Sequence, residues 1–239
     1  MAGVRILEVK KSIYENNDAE AERLRKELAR EGRFLVNLMS SPGSGKTSVV
    51  MRLIEVLSGE MKIGVMEADI DSSVDAETVF AAGVAAVQIH TDGMCHLDAG
   101  MTRKGLESPE MCGKDLVILE NVGNLVCPAE FDTGAHVNIM ILSVPEGDDK
   151  PLKYPLMFTV CDLLIINKTD TLGVFDFDTA AAAERARALN PTIDVICASA
   201  KTGVGMEDVA DWVRAAACSS RYHTLADDNT KNLTECDGL

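Results

Sequence analysis

A glycine-rich loop near the start of the chain has the residue types needed to bind phosphate groups. The octapeptide from Ser40 to Thr47 reads Ser-Ser-Pro-Gly-Ser-Gly-Lys-Thr, follows an apolar strand candidate and precedes a helical stretch. In such a loop, backbone amides converge on phosphate oxygens, Lys46 neutralises the outer phosphates and Thr47 offers its hydroxyl to Mg²⁺. A flexible glycine-serine loop with a chance lysine is the alternative, but the flanking strand and helix favour a nucleotide site. The predicted ligands are Gly43, Ser44, Gly45, Lys46, Thr47 and Ser48.

Two further motifs indicate that the base is guanine. The apolar strand from Cys161 to Ile166 ends in Asn-Lys-Thr-Asp, and a later strand is followed by Ser-Ala-Lys. The Asp170 carboxylate can accept hydrogen bonds from N1 and N2 of guanine, whereas adenine offers no such pair of donors. Lys168 can lie along the purine face. The sequence therefore predicts GTP and GDP as ligands of Asn167, Lys168, Asp170, Ser199, Ala200 and Lys201.

Acidic residues between these motifs suit Mg²⁺, which prefers a few carboxylates together with water and phosphate oxygens. Asp69 follows the second strand candidate, at the carboxyl end where open parallel sheets bind ligands, and Glu120 ends the fourth. We predict that Thr47, Asp69 and Glu120 hold the ion. Gly123, three residues after Glu120, is placed to direct its amide at the γ-phosphate.

The candidates for catalysis are Lys46, Asp75 and Glu120. For Asp75 and the nearby Asp71 there is an equally good alternative, because acidic residues at a helix start are favoured by the helix dipole without any catalytic role. No side chain is an obvious general base, which predicts slow intrinsic hydrolysis.

A second constellation consists of softer ligands. Cys95 and His96 follow the third strand candidate, and Cys127 lies seven residues beyond Glu120. Two thiols and one imidazole suit nickel or zinc better than magnesium or calcium. Half-buried thiols beside a polar histidine are the alternative. We favour a metal site because both cysteines follow strands that we expect to be neighbours, at the same sheet edge as the phosphates, with Cys95 opening a helix.

The position of Cys127 predicts communication between the two sites. The loop that senses the γ-phosphate also carries this metal ligand, so its reorganisation would move one ligand relative to the others. Metal affinity would then depend on whether GTP or GDP is bound. A fourth ligand stays open between water, Asp98 and a second subunit.

Composition excludes several classes of function. The 239 residues carry 23 Lys and Arg against 38 Asp and Glu, a formal net charge of -15, which disfavours broad contact with nucleic acid or an anionic membrane. The longest apolar runs fall far short of the roughly 20 residues that a bilayer span requires. Seven cysteines without a C-x-x-C pair, and no visible secretory signal, predict a reducing, cytoplasmic environment.

Apolar strands alternate with helical stretches along most of the chain, which predicts an α/β fold: a P-loop NTPase with a mostly parallel central sheet of about seven strands and helices on both faces. We assign residues 1–32 to an N-terminal segment with a helix from Asn17 to Gly32, residues 33–217 to the GTPase domain with the metal site, and residues 218–239 to a polar, disordered tail. The strand candidates are Phe34 to Met39, Ile63 to Glu67, Ala85 to His90, Leu116 to Glu120, Val137 to Ser143, Leu163 to Asn167 and Asp194 to Cys197; the later helices are Gly45 to Leu57, Val74 to Ala81, Phe177 to Leu189 and Met206 to Ala216.

With these motifs the chain resembles the HypB family of hydrogenase nickel-incorporation GTPases, within the signal-recognition and MinD-like (SIMIBI) class of P-loop proteins. The resemblance runs from about Arg33 to Ala215. Its most diagnostic parts are the Cys-His-Leu-Asp-Ala run from Cys95 and the segment from Asp148 to Pro155. Ser40, where the general P-loop pattern has glycine, is tolerated in this family.

The resemblance implies slow GTP hydrolysis, GTP-promoted homodimerisation and a nickel or zinc site made by Cys95, His96 and Cys127 near the dimer interface. It also implies delivery of nickel to a [NiFe] hydrogenase large-subunit precursor with a small zinc-containing partner, and a role for Lys150 or Lys153 in the nucleotide-dependent subunit contact. Some members store nickel in an N-terminal cysteine cluster or histidine-rich stretch. The first 40 residues here contain neither residue type, so a nickel function must depend on the GTPase-domain site.

Two other functions remain open from the sequence. One is a nucleotide-gated metal sensor or store in which hydrolysis is incidental. The other is a urease accessory GTPase, which shares the fold but typically carries a Cys-Pro-His metal motif that is missing from this sequence.

Overall fold

A computed structural model describes residues 9–69, 79–91 and 93–234, with side chains described for residues 14–68, 79–91 and 93–220. Seven parallel strands in this described part form one sheet in the order β3-β2-β4-β1-β5-β6-β7. The strands are β1 Phe34–Ser40, β2 Ile63–Asp69, β3 Ala85–His90, β4 Leu116–Glu120, β5 Val137–Ser143, β6 Leu163–Asn167 and β7 Asp194–Cys197. The helices are α1 Val9–Arg30, α2 Lys46–Leu57, α3 Ala99–Leu106, α4 Cys127–Glu130, α5 Lys150–Lys153, α6 Pro155–Thr159, α7 Thr179–Leu189 and α8 Met206–Thr234.

The central strands are apolar because helices cover both faces of the sheet. Every residue of β1, β4 and β6 is buried, whereas the edge strand β7 has partly exposed residues throughout. On one face α2 and α8 contribute Leu53 and Val213 to a core that includes Val36. Continuous apolar runs of this kind are typical of parallel strands that are shielded from water on both sides.

Two separate apolar clusters fill the other face. One joins Leu24 and Leu28 of α1 to strand residues that include Leu35, and the second joins α6 and α7 to strand residues that include Met39. Asn37 lies between Leu35 and Met39 along β1 and is buried. Its amide donates to Asn138 on β5 at 2.9 Å. The hydrogen-bonded amides satisfy buried polar groups at the centre of the sheet.

The predicted fold class is confirmed, and five of the seven strands have the predicted bounds, while β1 and β2 each run slightly further. The predicted N-terminal helix starts earlier, at Val9, and packs on the sheet through Leu24 and Leu28. The helix expected to open at Cys95 begins only at Ala99, as α3. Most of the predicted helix from Val74 to Ala81 lies outside the described residues.

The prediction of an irregular tail from residue 218 is wrong as far as residue 234, because α8 continues to Thr234. The stretch from Met206 to Thr234 contains neither glycine nor proline, so nothing interrupts a helix that has already been nucleated by its packed first turns. Within the described residues, no helix is both long enough and apolar enough to cross a membrane.

Candidate nucleotide and metal site

The phosphate loop joins the carboxyl end of β1 to the start of α2. Gly43 and Gly45 have positive φ angles of 77° and 96°, which residues with a β-carbon rarely adopt. A β-carbon on Gly45 would also lie 2.7 Å from the side-chain nitrogen of Asn167. The glycines therefore allow both the turn of the loop and its close approach to the guanine motif.

Ser40 occupies the position where the general P-loop pattern has glycine, and its side chain is fully buried. Its hydroxyl accepts hydrogen bonds from the Ser44 hydroxyl at 2.6 Å and from the Lys46 ammonium at 3.1 Å, and donates to the Ser41 carbonyl at 2.8 Å. The Ser41 hydroxyl contacts the carboxylate of Glu146, a contact that the sequence did not indicate. The departure from glycine is thus accommodated by a hydrogen-bond network that also orients Lys46.

The two guanine motifs bind directly to each other and to the phosphate loop. The Asn167 side chain donates to the Ser44 carbonyl at 3.0 Å and accepts from the Ala200 amide at 3.1 Å. Lys168 has a positive φ of 61° and donates from its ammonium to the Gly43 carbonyl at 2.6 Å. These contacts fix the end of β6 against the phosphate loop.

Asp170 and Lys201 face the same space. One carboxylate oxygen of Asp170 accepts from the Ser199 hydroxyl at 2.7 Å, and the other lies 3.9 Å from the Lys201 ammonium. The adjoining cavity has a volume of about 450 Å³. It is bordered by Gly45, Ser48, Arg52, Asn167, Lys168, Asp170, Thr171, Ala200 and Lys201. Of the six residues predicted to bind guanine, all except Ser199 therefore border one cavity beside the phosphate loop.

Arg52 was missed by the sequence analysis. From the second turn of α2, its guanidinium donates to the Ala200 carbonyl at 2.7 Å and to the Lys201 carbonyl at 3.1 Å. It therefore ties the helix that begins at the phosphate loop to the loop that would read guanine O6. The spacing of a helix residue carries no information about a loop almost 150 positions later, so no local signal could have identified it.

Thr47 and Glu120 lie together at the carboxyl ends of the central strands. The Thr47 hydroxyl donates to Glu120 at 3.0 Å, and Glu120 is buried. Glu67 stands opposite Glu120 in the pairing of β2 with β4 and is also buried. Two carboxylates and a hydroxyl next to a phosphate loop are a donor set that fits Mg²⁺.

The other predicted acidic residues cannot all be placed in this group. Asp69 ends β2, opposite His90 of β3, but its side chain lies outside the described ones. Asp75 lies outside the described residues altogether. The magnesium role of Asp69 and the catalytic role of Asp75 therefore stay predictions from the sequence.

The segment after Glu120 packs directly on the phosphate loop. A β-carbon on Gly123 would meet Pro42 atoms at 3.1 to 3.3 Å, so a larger residue would push the two loops apart. Asn121 donates through its amide to Asn37 at 3.1 Å and through its backbone to Leu38 at 2.9 Å. The start of this segment is therefore held against β1 and the phosphate loop. A change in the bound phosphates would alter the contacts of the segment at this point.

The structure brings the three predicted soft ligands together. The sulfur atoms of Cys95 and Cys127 lie 2.7 Å apart, and with a ring nitrogen of His96 all ligand atoms fall within 4.8 Å of one another. The Sγ–Sγ separation is longer than the roughly 2.05 Å of a disulfide bond. Both thiols are half-buried and free. Two thiols and an imidazole in this arrangement can ligate nickel or zinc.

The surroundings of these ligands shift their pKa values. Burial lowers the pKa of His96, against the opposing effect of Asp98 and Glu130, so the neutral imidazole that binds metals is favoured. The hydrogen bond with Cys95, followed by burial, raises the pKa of the Cys127 thiol. Metal binding at this cysteine must therefore displace a proton.

Phe131 is a further residue that the sequence did not single out. Its ring stacks on the His96 ring with a centroid separation of 3.8 Å and an interplanar angle of 12°. The Nδ1 atom of His96 is buried and has no hydrogen-bond partner among the described residues. The stacked ring thus fixes the plane of the His96 imidazole, and the Nδ1 atom of this imidazole is still available to bind a metal.

Two details of the predicted arrangement are wrong. Cys95 and Cys127 do not follow neighbouring strands, because β2 lies between β3 and β4. Nor does Cys95 open a helix: α3 begins only at Ala99, with Asp98 as its cap, while Cys127 is the first residue of α4. The Asp98 carboxylate accepts from the Met101 amide at 2.7 Å, so this candidate fourth ligand already has a capping role.

Outside the cluster lie the two lysines predicted for the subunit contact and four of the described cysteines, Cys112, Cys161, Cys197 and Cys218. The apolar strand patterns around Cys161 and Cys197 predict that both are core residues. Cys161 is buried, but the prediction for Cys197 is wrong, because the edge strand β7 is open to solvent. Lys153 pairs with Asp149 at 2.6 Å, and the Lys150 ammonium lies 5.4 Å from the Tyr154 ring centroid. Their role between subunits stays a prediction.

Comparisons with known proteins agree with this geometry. Residues 34–197 match the family described as CobW/HypB/UreG, nucleotide-binding domain. The chain is 44% identical over 217 residues to hydrogenase maturation factor HypB of Rhizobium leguminosarum bv. viciae, covering 91% of this chain and 73% of that relative. It is 39% identical over 219 residues to the HypB of Escherichia coli strain K12, covering 92% and 76% of the two chains.

Solved structures show the same relationship. The crystal structure of HypB from Helicobacter pylori in complex with nickel is 37% identical, has a TM-score of 0.81 and covers 86% of this chain and 97% of its own. HypB from Archaeoglobus fulgidus is 39% identical with a TM-score of 0.78, covering 84% and 98%. The signal recognition particle receptor FtsY of Elizabethkingia anophelis, at 14% identity and a TM-score of 0.51, shares the fold alone. Together with the converging motifs, these matches show that the chain belongs to the HypB branch of the CobW/HypB/UreG family of nucleotide-binding proteins.

Proposed function

We propose that this protein hydrolyses GTP and uses the GTP state to control a nickel ion that it delivers during [NiFe] hydrogenase maturation. The observation that carries the proposal is the chain connection between the two sites. Glu120 accepts from Thr47 at the phosphate loop, and seven residues later Cys127 stands in the thiol and imidazole cluster.

The nucleotide end would bind and orient GTP with residues that already face the site. Lys46 would neutralise phosphate charge, and Asp170 would accept from guanine N1 and N2. Thr47, Glu120 and Asp69 would hold Mg²⁺, which supplies charge neutralisation at the phosphates when bound. No described side chain stands out as a general base, which supports a slow intrinsic rate limited by a partner.

The metal end would hold nickel as cargo. Cys95, His96 and Cys127 supply three ligands, so a water or a group from a second subunit would complete the site. The HypB of Helicobacter pylori was crystallised in complex with nickel, and relatives are named hydrogenase maturation factors, which supports nickel and a hydrogenase precursor as cargo and recipient. Zinc fits the same ligands.

The remaining parts of the proposal follow from the family. The protein would form a GTP-dependent homodimer in the cytoplasm and act with a small zinc-containing maturation partner on the hydrogenase large-subunit precursor, without contacting nucleic acid or membrane. The relatives from Helicobacter pylori are named hydrogenase/urease maturation factors, so a urease precursor is the second recipient to test.

The central experiment is a nickel titration of the full chain loaded with GDP and, separately, with a non-hydrolysable GTP analogue. We expect the two nickel affinities to differ about fivefold or more, the range of typical coupling energies. Cys127→Ala should remove this difference and leave GTP affinity largely intact. Cys112→Ala, which changes an exposed thiol outside the cluster, is the matched control and should behave like the unmutated protein.

Equal nickel affinities in the two nucleotide states of the unmutated protein would reject the coupling. Measuring GTP turnover with and without nickel distinguishes the proposed function from the remaining alternative, a nucleotide-gated metal sensor or store. Negligible hydrolysis that does not respond to nickel would favour a metal sensor or store. Adding zinc to the same titrations identifies the preferred ion.

A further inference from the structure

The Asn17 side chain of α1 bridges the two segments that carry the metal ligands. Its amide oxygen accepts a hydrogen bond from the Ala99 backbone at 2.9 Å, and its amide nitrogen donates to the Asp132 carbonyl at 2.9 Å. Ala99 follows Cys95 and His96 on the segment after β3, while Asp132 follows Cys127 on the segment after β4. One side chain thus contacts both segments through their backbones.

The contact with Ala99 satisfies a group that α3 leaves open. The first backbone amides of a helix have no partner within the helix, and Asp98 caps Met101 rather than Ala99. Asn17 therefore supplies a cap from a different helix. This fixes where α3 begins, and with it the end of the short loop that holds Cys95 and His96.

A second α1 residue, Tyr14, contacts the segment that packs on His96. The Tyr14 hydroxyl donates to the Glu130 carboxylate at 2.8 Å, and the Tyr14 ring lies 5.0 Å from the Phe131 ring. Phe131 in turn stacks on His96. The row of rings from Tyr14 to His96 connects α1 to a metal ligand through direct packing.

Helix α1 is itself anchored to the rest of the protein. Arg25 forms two hydrogen bonds with the Asp132 carboxylate, at 2.7 and 2.8 Å, and a third with the Ala135 carbonyl at 2.8 Å. Arg103 of α3 pairs with Glu20 and Glu27 at 2.5 and 2.6 Å. Because charged partners hold α1 against both segments, it can act as a fixed support for them.

Cys127 therefore lies in a segment that contacts the phosphate loop at one end and α1 at the other. Towards the nucleotide, Gly123 packs on Pro42 of the phosphate loop. Away from it, Asp132 is bound by Asn17 and Arg25 of α1. If the far end is held while the near end responds to the phosphates, the displacement is concentrated around Cys127 and changes its distance to Cys95 and His96.

We propose that Asn17 and Tyr14 are positioning residues of the metal site, and that α1 is the fixed support against which the nucleotide moves Cys127. This inference rests on the proposed function, because it explains how a phosphate signal becomes a change in metal geometry. Without the support, the segment would shift as a unit and the ligands would be poorly arranged in both nucleotide states.

The test uses the full chain and Ni²⁺ itself as the probe. Asn17→Ala removes both bridging hydrogen bonds, and Tyr14→Phe removes the hydroxyl while keeping the ring. Asn16→Ala is the matched control, since Asn16 is an exposed neighbour on the same helix. Each variant is titrated with nickel in GDP and in a non-hydrolysable GTP analogue, while the thiolate-to-nickel absorption band reports the ligand geometry.

We expect Asn17→Ala to weaken nickel binding about tenfold, as loss of supporting contacts around metal ligands commonly does. Its ratio of nickel affinities between the two nucleotide states should fall towards one, with an altered absorption band and unchanged GTP affinity. Tyr14→Phe should show a smaller change in the same direction. Asn16→Ala should match the unmutated protein.

The inference is overturned if both Asn17→Ala and Tyr14→Phe keep the affinity ratio and absorption band of the unmutated protein. If Asn17→Ala unfolds, as a thermal melt would show, Tyr14→Phe decides the matter alone. If the unmutated protein binds no nickel, or binds it equally in both states, then the proposed function fails first, and this result differs from a failure of the support.

Discussion

The guanine side and the metal side of the same sheet edge are built in different ways. On the guanine side, the loops after β6 and β7 bond directly to the phosphate loop, as Asn167 does to Ser44 and Ala200. On the metal side, the segments after β3 and β4 are held through Asn17 of α1, a helix that precedes the residues matched by the family. The guanine motifs are therefore joined directly to the phosphate loop, whereas the two segments that carry the soft ligands are joined to each other through α1, the support against which we propose that Cys127 moves.

The largest effect should come from a substitution on the guanine side. Asp170→Ala removes the predicted acceptor for guanine N1 and N2, and two hydrogen bonds to a charged group together amount to about 3 to 5 kcal/mol. We expect GTP affinity to fall about a thousandfold, measured by titration calorimetry, while nickel affinity of the nucleotide-free protein stays unchanged. Ser199→Ala, which removes a hydroxyl that bonds to that carboxylate and to the Thr202 amide but leaves the carboxylate in place, should cost far less. A comparable loss in both variants would show that the carboxylate does not read the base.

The next effect should fall on the metal side alone. His96→Ala removes one of three clustered ligands, so nickel affinity should drop about a hundredfold, at least as much as a lost supporting contact costs. GTP affinity should not change. His90→Ala is the matched control, because His90 is exposed at the end of β3. If the two histidine variants bind nickel equally well, then the imidazole is not a ligand.

Lowering the pH should reduce the free energy of unfolding through protonation of His136, without a specific effect on guanine binding. Burial, reinforced by the charge of Arg25, lowers the pKa of His136 from 6.5 to about 4, and its Nδ1 accepts from the Leu35 amide at 3.0 Å. Since the unfolded chain binds the proton more readily, His136 favours the folded state above pH 6.5, and this stability is lost as the pH falls from 6.5 towards 4.

The expected loss from His136 between pH 7 and pH 5 is about 2 kcal/mol in the free energy of unfolding. Urea unfolding at the two pH values measures it. His136→Gln, which keeps a hydrogen-bond acceptor but does not titrate, should lose correspondingly less stability over the same interval. Identical pH dependence in the two proteins would contradict this assignment.

The smallest effect should come from Arg52, which sharpens the account of the guanine side. Arg52→Ala removes the donors to the Ala200 and Lys201 carbonyls, so GTP affinity should fall roughly fivefold, the net value of about one hydrogen bond. Glu55→Ala removes only the exposed ion pair with Arg52 and serves as the control. Equal affinities in the two variants would mean that the loop needs no support from α2.

Much of the fold could be predicted because it is encoded locally. The strands are short apolar runs, fully buried in β1, β4 and β6, and their ends coincide with polar motifs, so five sets of bounds agree with the structure. The bounds of α3 could not be predicted because its eight residues include Gly100 and Gly105, which weaken a helical pattern, and because its first amide is capped by Asn17, more than 80 positions earlier. The continuation of α8 was missed because a polar helix lacks an apolar period.

The sequence alone determined which chemistry is possible: a phosphate loop, a guanine reader, acidic groups for Mg²⁺ and three soft metal ligands. The phosphate loop and the Asn-Lys-Thr-Asp motif depend on residue types at short spacing, and the acidic and soft ligands were inferred from residue type and from their positions at or after strand ends. Only the tertiary structure decided that Cys95 and Cys127 meet across an intervening strand, that Arg52 supports a distant loop and that α1 bridges the metal segments. These contacts join residues far apart in the chain, so they arise from strand order and packing, which no local pattern contains.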